Sequence, residues 1–207
     1  MEQYILNHID AQLSVLKELE RYTNLNVLRP RMLSGHLLGN ILTMLCKMIN
    51  PISILEIGTF TGYSTICMAQ GMKSNGHIHT IEINDELENV ILTFLDKANI
   101  TNQVTLHIGN AIDIIPKIDL FFDLIYIDGD KREYPKYLEL ALQKVTNNGF
   151  ILADNTLWDG KVAKLNMPDD AYTKGIMDFN EMVKLNTNLE KVIIPIRDGL
   201  TIIRKKS

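Results

Sequence analysis

The sequence predicts an α/β fold in which a mostly parallel sheet is covered by helices on both faces. Three observations carry that reading. From residue 51 onward, short runs with strand character alternate with runs of helical periodicity; the connections between them are short; and the chain closes on two apolar runs joined by Arg197-Asp198-Gly199. Repeated βα units wind right-handed and set their strands parallel. Asp-Gly between two strand-like runs instead signals an antiparallel hairpin. With 207 residues, 46% hydrophobic and 22% charged, the chain is long enough for one well-buried domain and short for two.

The elements follow in order. Ile5, Leu6, Ile9, Leu13, Leu16 and Leu19 recur at helical spacing, so residues 3–22 read as one amphipathic helix whose apolar face needs the domain or a second subunit as partner. Asn24, Asn26 and Pro30 mark residues 24–33 as a loop; Ser34 is placed to cap a helix from Gly35 to about Ile49, which Pro51 closes. The alternation then runs strand 52–57, helix 62–72, strand 77–82, helix 85–98, strand 103–108, a short helix near 111–115, strand 122–127, helix 134–145 and strand 149–153. The final hairpin joins Val192–Ile196 to Leu200–Ile203. One domain, 1–207, is expected, with an N-terminal helical segment at 1–50 and an α/β core at 51–207.

Composition removes several function classes. A net charge of −4 gives no general pull toward nucleic acid, and Arg21, Arg29, Arg31 and the Arg204-Lys205-Lys206 run are local basic spots. Cys46 and Cys67 are far apart and form no C-x-x-C, the pattern of reduced, packed thiols in a cytoplasmic protein. Glu2, His8 and Asp10 interrupt the N-terminal apolar residues, which argues against a signal peptide, and no segment reads as apolar for long enough to span a membrane. His77 and His79 fall on one strand face without a cysteine or carboxylate partner, which favours packed or solvated histidines over a metal site.

The chemistry-bearing residues gather at strand ends. Ile54-Leu-Glu-Ile-Gly-Thr-Phe-Thr-Gly-Tyr-Ser64 reads as a buried strand, a tight glycine turn and a helix start. A dinucleotide fingerprint would be G-x-G-x-x-G; here the order from Glu56 to Gly62 is E-x-G-x-x-x-G. A carboxylate at the lip of the strand repels phosphate and attracts a cation, which suits the sulfonium and ammonium groups of S-adenosylmethionine. Glu82, at the end of the next strand, is placed to accept hydrogen bonds from both ribose hydroxyls. Asp123-Leu-Ile-Tyr-Ile-Asp128-Gly-Asp130-Lys131 and Phe150-Ile-Leu-Ala-Asp154-Asn155 deliver further acids to strand ends that open into one crevice of a doubly wound sheet. Asp128, Asp154 and Asn155 then offer three hard oxygen ligands, which favour Mg²⁺, with Mn²⁺ or Ca²⁺ as substitutes, over zinc. Lys131 follows on the turn and is the candidate base; a neighbouring dication and partial desolvation both favour a neutral amine. Trp158 is either an aromatic wall for a planar substrate or a packed loop anchor.

These motifs, their order and the closing hairpin resemble the metal-dependent class I O-methyltransferases, the group containing catechol and caffeoyl-coenzyme A O-methyltransferases. The likeness runs from about Met32 to the C-terminus and rests on Glu-Ile-Gly-x-x-x-Gly-Tyr-Ser, Ile-Asp-x-Asp-Lys and Ala-Asp-Asn-Thr-Leu-Trp together. It implies a Rossmann-like class I methyltransferase fold with seven strands in the order 3-2-1-4-5-7-6, the seventh antiparallel, and commonly a homodimer. It also implies Asp128, Asp154 and Asn155 as metal ligands and Lys131 as base. Glu56, Gly58 and Ser64 become contacts to the methionine part of the cofactor, Glu82 the ribose contact, and Asp128 and Asp130 further acids on the cofactor side. Ala111 and Ile112 stand where catechol-type enzymes offer polar side chains, so adenine recognition would rest on backbone groups and apolar packing. The expected activity is Mg²⁺-assisted methyl transfer to a catechol-like small molecule. Two alternatives stand beside it: a tRNA hydroxyuridine as acceptor, or a non-catalytic module that binds the cofactor.

Overall fold

A computed structural model describes residues 2–164 and 170–207. Its strands are β1 (Ser53–Ile57), β2 (His77–Glu82), β3 (Val104–Ile108), β4 (Phe122–Ile127), β5 (Val145–Asp154), β6 (Leu189–Ile194) and β7 (Leu200–Lys205). They form one sheet in the order β3-β2-β1-β4-β5-β7-β6. β1 pairs with β4, β2 with β3 and β4 with β5 in parallel, while β7 runs antiparallel to β5 and β6. The α/β class, the strand order and the antiparallel β7 are therefore as expected. The residues fall into two compact units, the first reaching to Ile52 and resuming at Thr59–Ile108, the second comprising Ser53–Gly58 and the described residues from Gly109 onward.

In the first unit the expected helix over 3–22 is two helices, α1 (Glu2–Leu6) and α2 (Ser14–Asn26). The break goes with a long-range contact. The Asp10 carbonyl, which a continuous helix would use internally, accepts instead from His36 Nε2 at 2.7 Å and Asn40 Nδ2 at 3.1 Å. Only the later part of the apolar stripe is fully buried, at Leu16 and Leu19, and Leu13 is exposed. The predicted loop at 24–33 starts late, because α2 runs to Asn26, and it contains a short 3₁₀ turn at Pro30–Met32. α3 (Gly35–Ile49) has the expected bounds, although the Ser34 side chain makes no capping bond.

One sequence expectation is corrected here: Pro30–Ile49 is 20 residues long and apolar enough to cross a membrane by length and composition. Its helical part is shorter, however, and Leu38, Leu42 and Cys46 form a buried stripe along it. That stripe packs on α4 (Tyr63–Ala69). The approach is close enough that a Cβ at Gly39 would lie 2.8 Å from Cys67 Sγ. Only this face of the helix is buried; Met44 and Met48, elsewhere on the helix, are exposed. α5 (Glu88–Lys97) completes the unit, burying Ile91, Phe94 and Leu95.

In the second unit β4 is buried at Phe122 and from Leu124 to Ile127; between them the half-buried Asp123 carboxylate accepts from Ser53 N–H at 3.2 Å and ties β4 to β1. α6 (Ala111–Ile114) and α7 (Tyr134–Lys144) lie where the sequence places them. β5 begins earlier than expected, at Val145, which pairs with Phe122 across an irregularity in register. α8 (Ala171–Leu185) is an element to which the sequence reading assigned nothing. Its signals are an Asp170 N-cap, accepting from Thr173 N–H at 2.9 Å, and apolar Ile176, Phe179 and Val183 at helical spacing. The expected terminal hairpin is present, but its first strand lies earlier than the expected Val192–Ile196: β6 ends at Ile194, which pairs with Leu200.

Candidate active site

The second unit gathers Asp128, Lys131, Asp154 and Asn155 at the ends of β4 and β5. Asp128 leaves β4 with its N–H donated to the Ile57 carbonyl at 2.9 Å. Gly58 makes that approach possible: its φ is +97°, and a Cβ there would lie 2.3 Å from the Asp128 carbonyl oxygen. The chain then turns through Lys131–Glu133, with the Asp130 carboxylate accepting from Arg132 N–H at 3.0 Å as the cap of that turn. This brings Lys131 back over the strand end. Its side chain is enclosed, 8% of the residue being exposed, and Nζ donates to Asp128 Oδ1 at 2.8 Å and to Tyr134 Oη at 2.7 Å.

Asp154 ends β5 and is 3% exposed. Burial pushes its carboxyl well above the ordinary carboxylate range and the Asp128 charge adds to the effect, while Lys131, Arg197 and the Asn155 N–H pull the other way. Asn155 takes a left-handed backbone with φ +60°, and Trp158 and Asp159 do the same at +46° and +56°. Such conformations cost free energy in non-glycine residues and persist where neighbours impose them. Here the terminal hairpin does so. Thr156 N–H donates to the Gly199 carbonyl at 3.0 Å, Leu157 N–H to the Asp198 carbonyl at 2.9 Å, and Asn180 Nδ2 holds the Thr156 carbonyl at 2.9 Å.

The donor set fits a hard divalent cation. Among the described residues no three His, Cys, Asp or Glu side chains form a metal-binding cluster; the candidate set is two carboxylates and one amide, all oxygen donors, as Mg²⁺ prefers. Asp154, raised by burial first and by the Asp128 charge second, is a carboxylate whose ionised form a bound dication would favour.

The residues expected at the cofactor fall in both units. Glu56, at the end of β1, is completely buried and sits opposite Tyr126 in the β1–β4 register. Ser64 lies in the first turn of α4, which follows Gly62 at φ +90°, and is 4% exposed. Glu82 is 7% exposed and accepts from Phe60 N–H at 2.7 Å and Asn84 N–H at 2.9 Å. Burial pushes its carboxyl up, and those N–H groups counter part of the push. Asp130 is committed to Arg132, whose Nε donates to both carboxylate oxygens at 3.0 and 3.1 Å and holds the group below the ordinary carboxylate range.

Several functional groups escape sequence reasoning. Tyr134 and Tyr126 are fully buried beside the acids, and Tyr126 Oη lies 3.5 Å from Asp128 Oδ2. Tyr172 stacks on Trp158, with centroids 6.3 Å apart and planes at 18°; Arg132 lies over the Tyr172 ring and Lys161 over the Trp158 ring. Trp158 Nε1 is buried with no hydrogen-bond partner among the described residues. His77 and His79 are part-buried as expected, but His107 of β3 joins them: His79 Nδ1 lies 3.0 Å from His107 Nε2, and His77 Nε2 lies 2.8 Å from Thr105 Oγ1. Their registers, His79 opposite Thr105 and Ile81 opposite His107, emerge only when β2 and β3 are paired.

The strand order and the antiparallel β7 define a class I methyltransferase fold. The family model described as O-methyltransferase matches residues 7–206, and the chain belongs to that family. It is 37% identical over 160 residues to a catechol O-methyltransferase of Niastella koreensis, covering 75% of this chain and 72% of the relative. It is 31% identical over 182 residues to caffeoyl-CoA O-methyltransferase 1 of Eucalyptus globulus, covering 82% and 73%. Among solved structures, the O-methyltransferase from Bacillus cereus in complex with S-adenosylhomocysteine superposes with a TM-score of 0.92 at 28% identity, over 99% of this chain and 96% of that one.

Proposed function

We propose that the chain is an S-adenosylmethionine-dependent, Mg²⁺-assisted O-methyltransferase acting on a small molecule with adjacent hydroxyls, of the catechol type. The observation that carries this reading is the enclosed acid pair Asp128 and Asp154 beside the buried Lys131 amine. The relatives support it: one is a catechol O-methyltransferase, and the Bacillus cereus structure holds the demethylated cofactor product. Glu56, Gly58, Ser64 and Glu82, with Asp128 and Asp130, are the proposed cofactor contacts.

A cation held by Asp128, Asp154 and Asn155 would lower the cost of ionising a hydroxyl next to it and hold two vicinal oxygens in one orientation. Lys131 takes the acceptor's proton at Nζ, and Asp128, already paired with that amine, stabilises the ammonium that results. Trp158 and Tyr172 offer stacked faces for a planar acceptor. The remaining work is positioning, which converts a bimolecular methyl transfer into one between held groups. Buried thiols at Cys46 and Cys67 support a reducing, cytoplasmic setting, and exposed Leu13, Leu25 and Leu28 support a homodimer through the N-terminal helices.

The test is S-adenosylhomocysteine formation with Mg²⁺ and three acceptors of one skeleton, 3,4-dihydroxyphenyl, 3-hydroxyphenyl and 4-hydroxyphenyl. Turnover of the first alone supports the vicinal requirement. Equal turnover of all three removes it, and turnover of none, with tight cofactor binding, moves the acceptor to a hydroxylated tRNA base or the protein to a binding role.

A further inference from the structure

We infer that Tyr134 is a positioning residue for the Lys131 base: its buried hydroxyl fixes the amine against the ends of β4 and β5 and keeps the amine's remaining direction open for an acceptor proton. This rests on the proposed role of Lys131 in O-methyl transfer. Tyr134 is completely buried, with its ring edge-on to Phe179 at 5.4 Å between centroids. Its hydroxyl carries one hydrogen. The two acceptors within reach are the Asp154 carbonyl at 2.9 Å and the Ile127 carbonyl at 3.2 Å. Carbonyls donate nothing, so the phenolic hydrogen is committed to them, and the oxygen meets Lys131 Nζ at 2.7 Å purely as an acceptor.

The second partner of the amine, Asp128 Oδ1 at 2.8 Å, also only accepts. Two directions around Nζ are thereby taken up by fixed acceptors, which sets where the rest of the amine faces. The two carbonyls hold the phenolic hydrogen away from the amine. Those carbonyls belong to Ile127, just before Asp128, and to Asp154 itself, so one hydroxyl references the amine to both acid-bearing strand ends. Gly175 of α8 backs the same turn closely, since a Cβ there would lie 2.2 Å from the Lys131 carbonyl oxygen.

Tyr134→Phe removes the oxygen and keeps the ring. In protein free of metal and cofactor, acylation of Lys131 by an amine-reactive reagent, read by peptide mass spectrometry, is expected to speed up about fivefold, as for one lost hydrogen bond, with exposed Lys136 unchanged. In Mg²⁺-supported turnover of a 3,4-dihydroxyphenyl acceptor, kcat should fall about 10- to 100-fold with both KM values within about threefold. Added to Lys131→Ala, the change should have no further effect. The wild-type protein offers a reading that needs no variant: a slowly exchanging Tyr134 hydroxyl proton in NMR. Unchanged Lys131 labelling, a rapidly exchanging hydroxyl, or a loss that multiplies with that of Lys131→Ala overturns the inference. A wild type that turns over no such acceptor counts against the proposed function, while labelling and exchange still decide the role of Tyr134.

Discussion

Lys131 Nζ donates to Asp128 Oδ1 at 2.8 Å, three residues back along the chain, and both side chains are largely withdrawn from water. In the proposed function this held amine is the group that takes the acceptor's proton. Lys131→Ala is expected to lower kcat by about 10²- to 10⁴-fold, the span of general-base catalysis, with little change in S-adenosylhomocysteine affinity. Steady-state rates beside calorimetric binding check this; a parallel loss of binding would make Lys131 a cofactor residue instead.

Asp154 is enclosed and repelled by Asp128, so in metal-free protein its charge is a local burden. Asp154→Asn keeps the shape and removes the repulsion. The metal-free variant is expected to melt at the same temperature as wild type or a few degrees higher, by about 1 kcal/mol or more, and to lose the rise in Tm that Mg²⁺ gives wild type. Thermal scans with and without Mg²⁺ read both effects, and a metal-free variant far less stable than wild type would contradict this reading.

Gly199 stands at φ +90°, and a Cβ there would come 2.4 Å from Leu157 Cγ. Gly199→Ala is expected to destabilise the fold by about 1–3 kcal/mol through backbone strain and overpacking. It should also weaken Mg²⁺ binding, because the hairpin turn holds the loop that carries Asn155. Urea unfolding and metal titration measure the two; a shift in stability with metal affinity intact would separate the hairpin from the site.

The His79 imidazole has its pKa pushed down to about 4, first by burial and then by repulsion from His107 and His77. Its unfolded value is about 6.5, so between these pH values the unfolded chain binds the extra proton. The contribution to stability is complete above about pH 6.5 and is lost as pH falls toward about 4. Allowing for partial exposure, about 1–2 kcal/mol is at stake. Urea midpoints at pH 7.5 and 5 for wild type and His79→Gln test this, with a smaller difference expected for the variant; equal differences would show that other groups carry the pH dependence.

The alternation of strand and helix was legible because each βα unit declares itself locally: an apolar run, a glycine or Asx turn, then helical spacing. The strand-end acids were legible for the same reason, since Asp128 and Asp154 each end such a run. Three things were not. The break at Asp10 depends on His36 and Asn40, distant in sequence. Tyr134 looks like an ordinary helix-start aromatic until β4 and β5 bring two carbonyls to its hydroxyl. His107 joins His79 only through the β2–β3 register. Each is a long-range pairing, which periodicity does not encode. α8 is a different case: its cap and apolar spacing were in the sequence and went unread.

The proposed function requires that Asp128, Asp154 and Asn155 hold a cation on which O-methyl transfer depends. The most direct measurement is S-adenosylhomocysteine formation from S-adenosylmethionine and a 3,4-dihydroxyphenyl acceptor, with Mg²⁺ and with chelator, for wild type and Asp154→Ala. Turnover by wild type that chelator abolishes and Mg²⁺ restores, together with its loss in Asp154→Ala, is the expected result. Turnover that survives both the chelator and the substitution would contradict it.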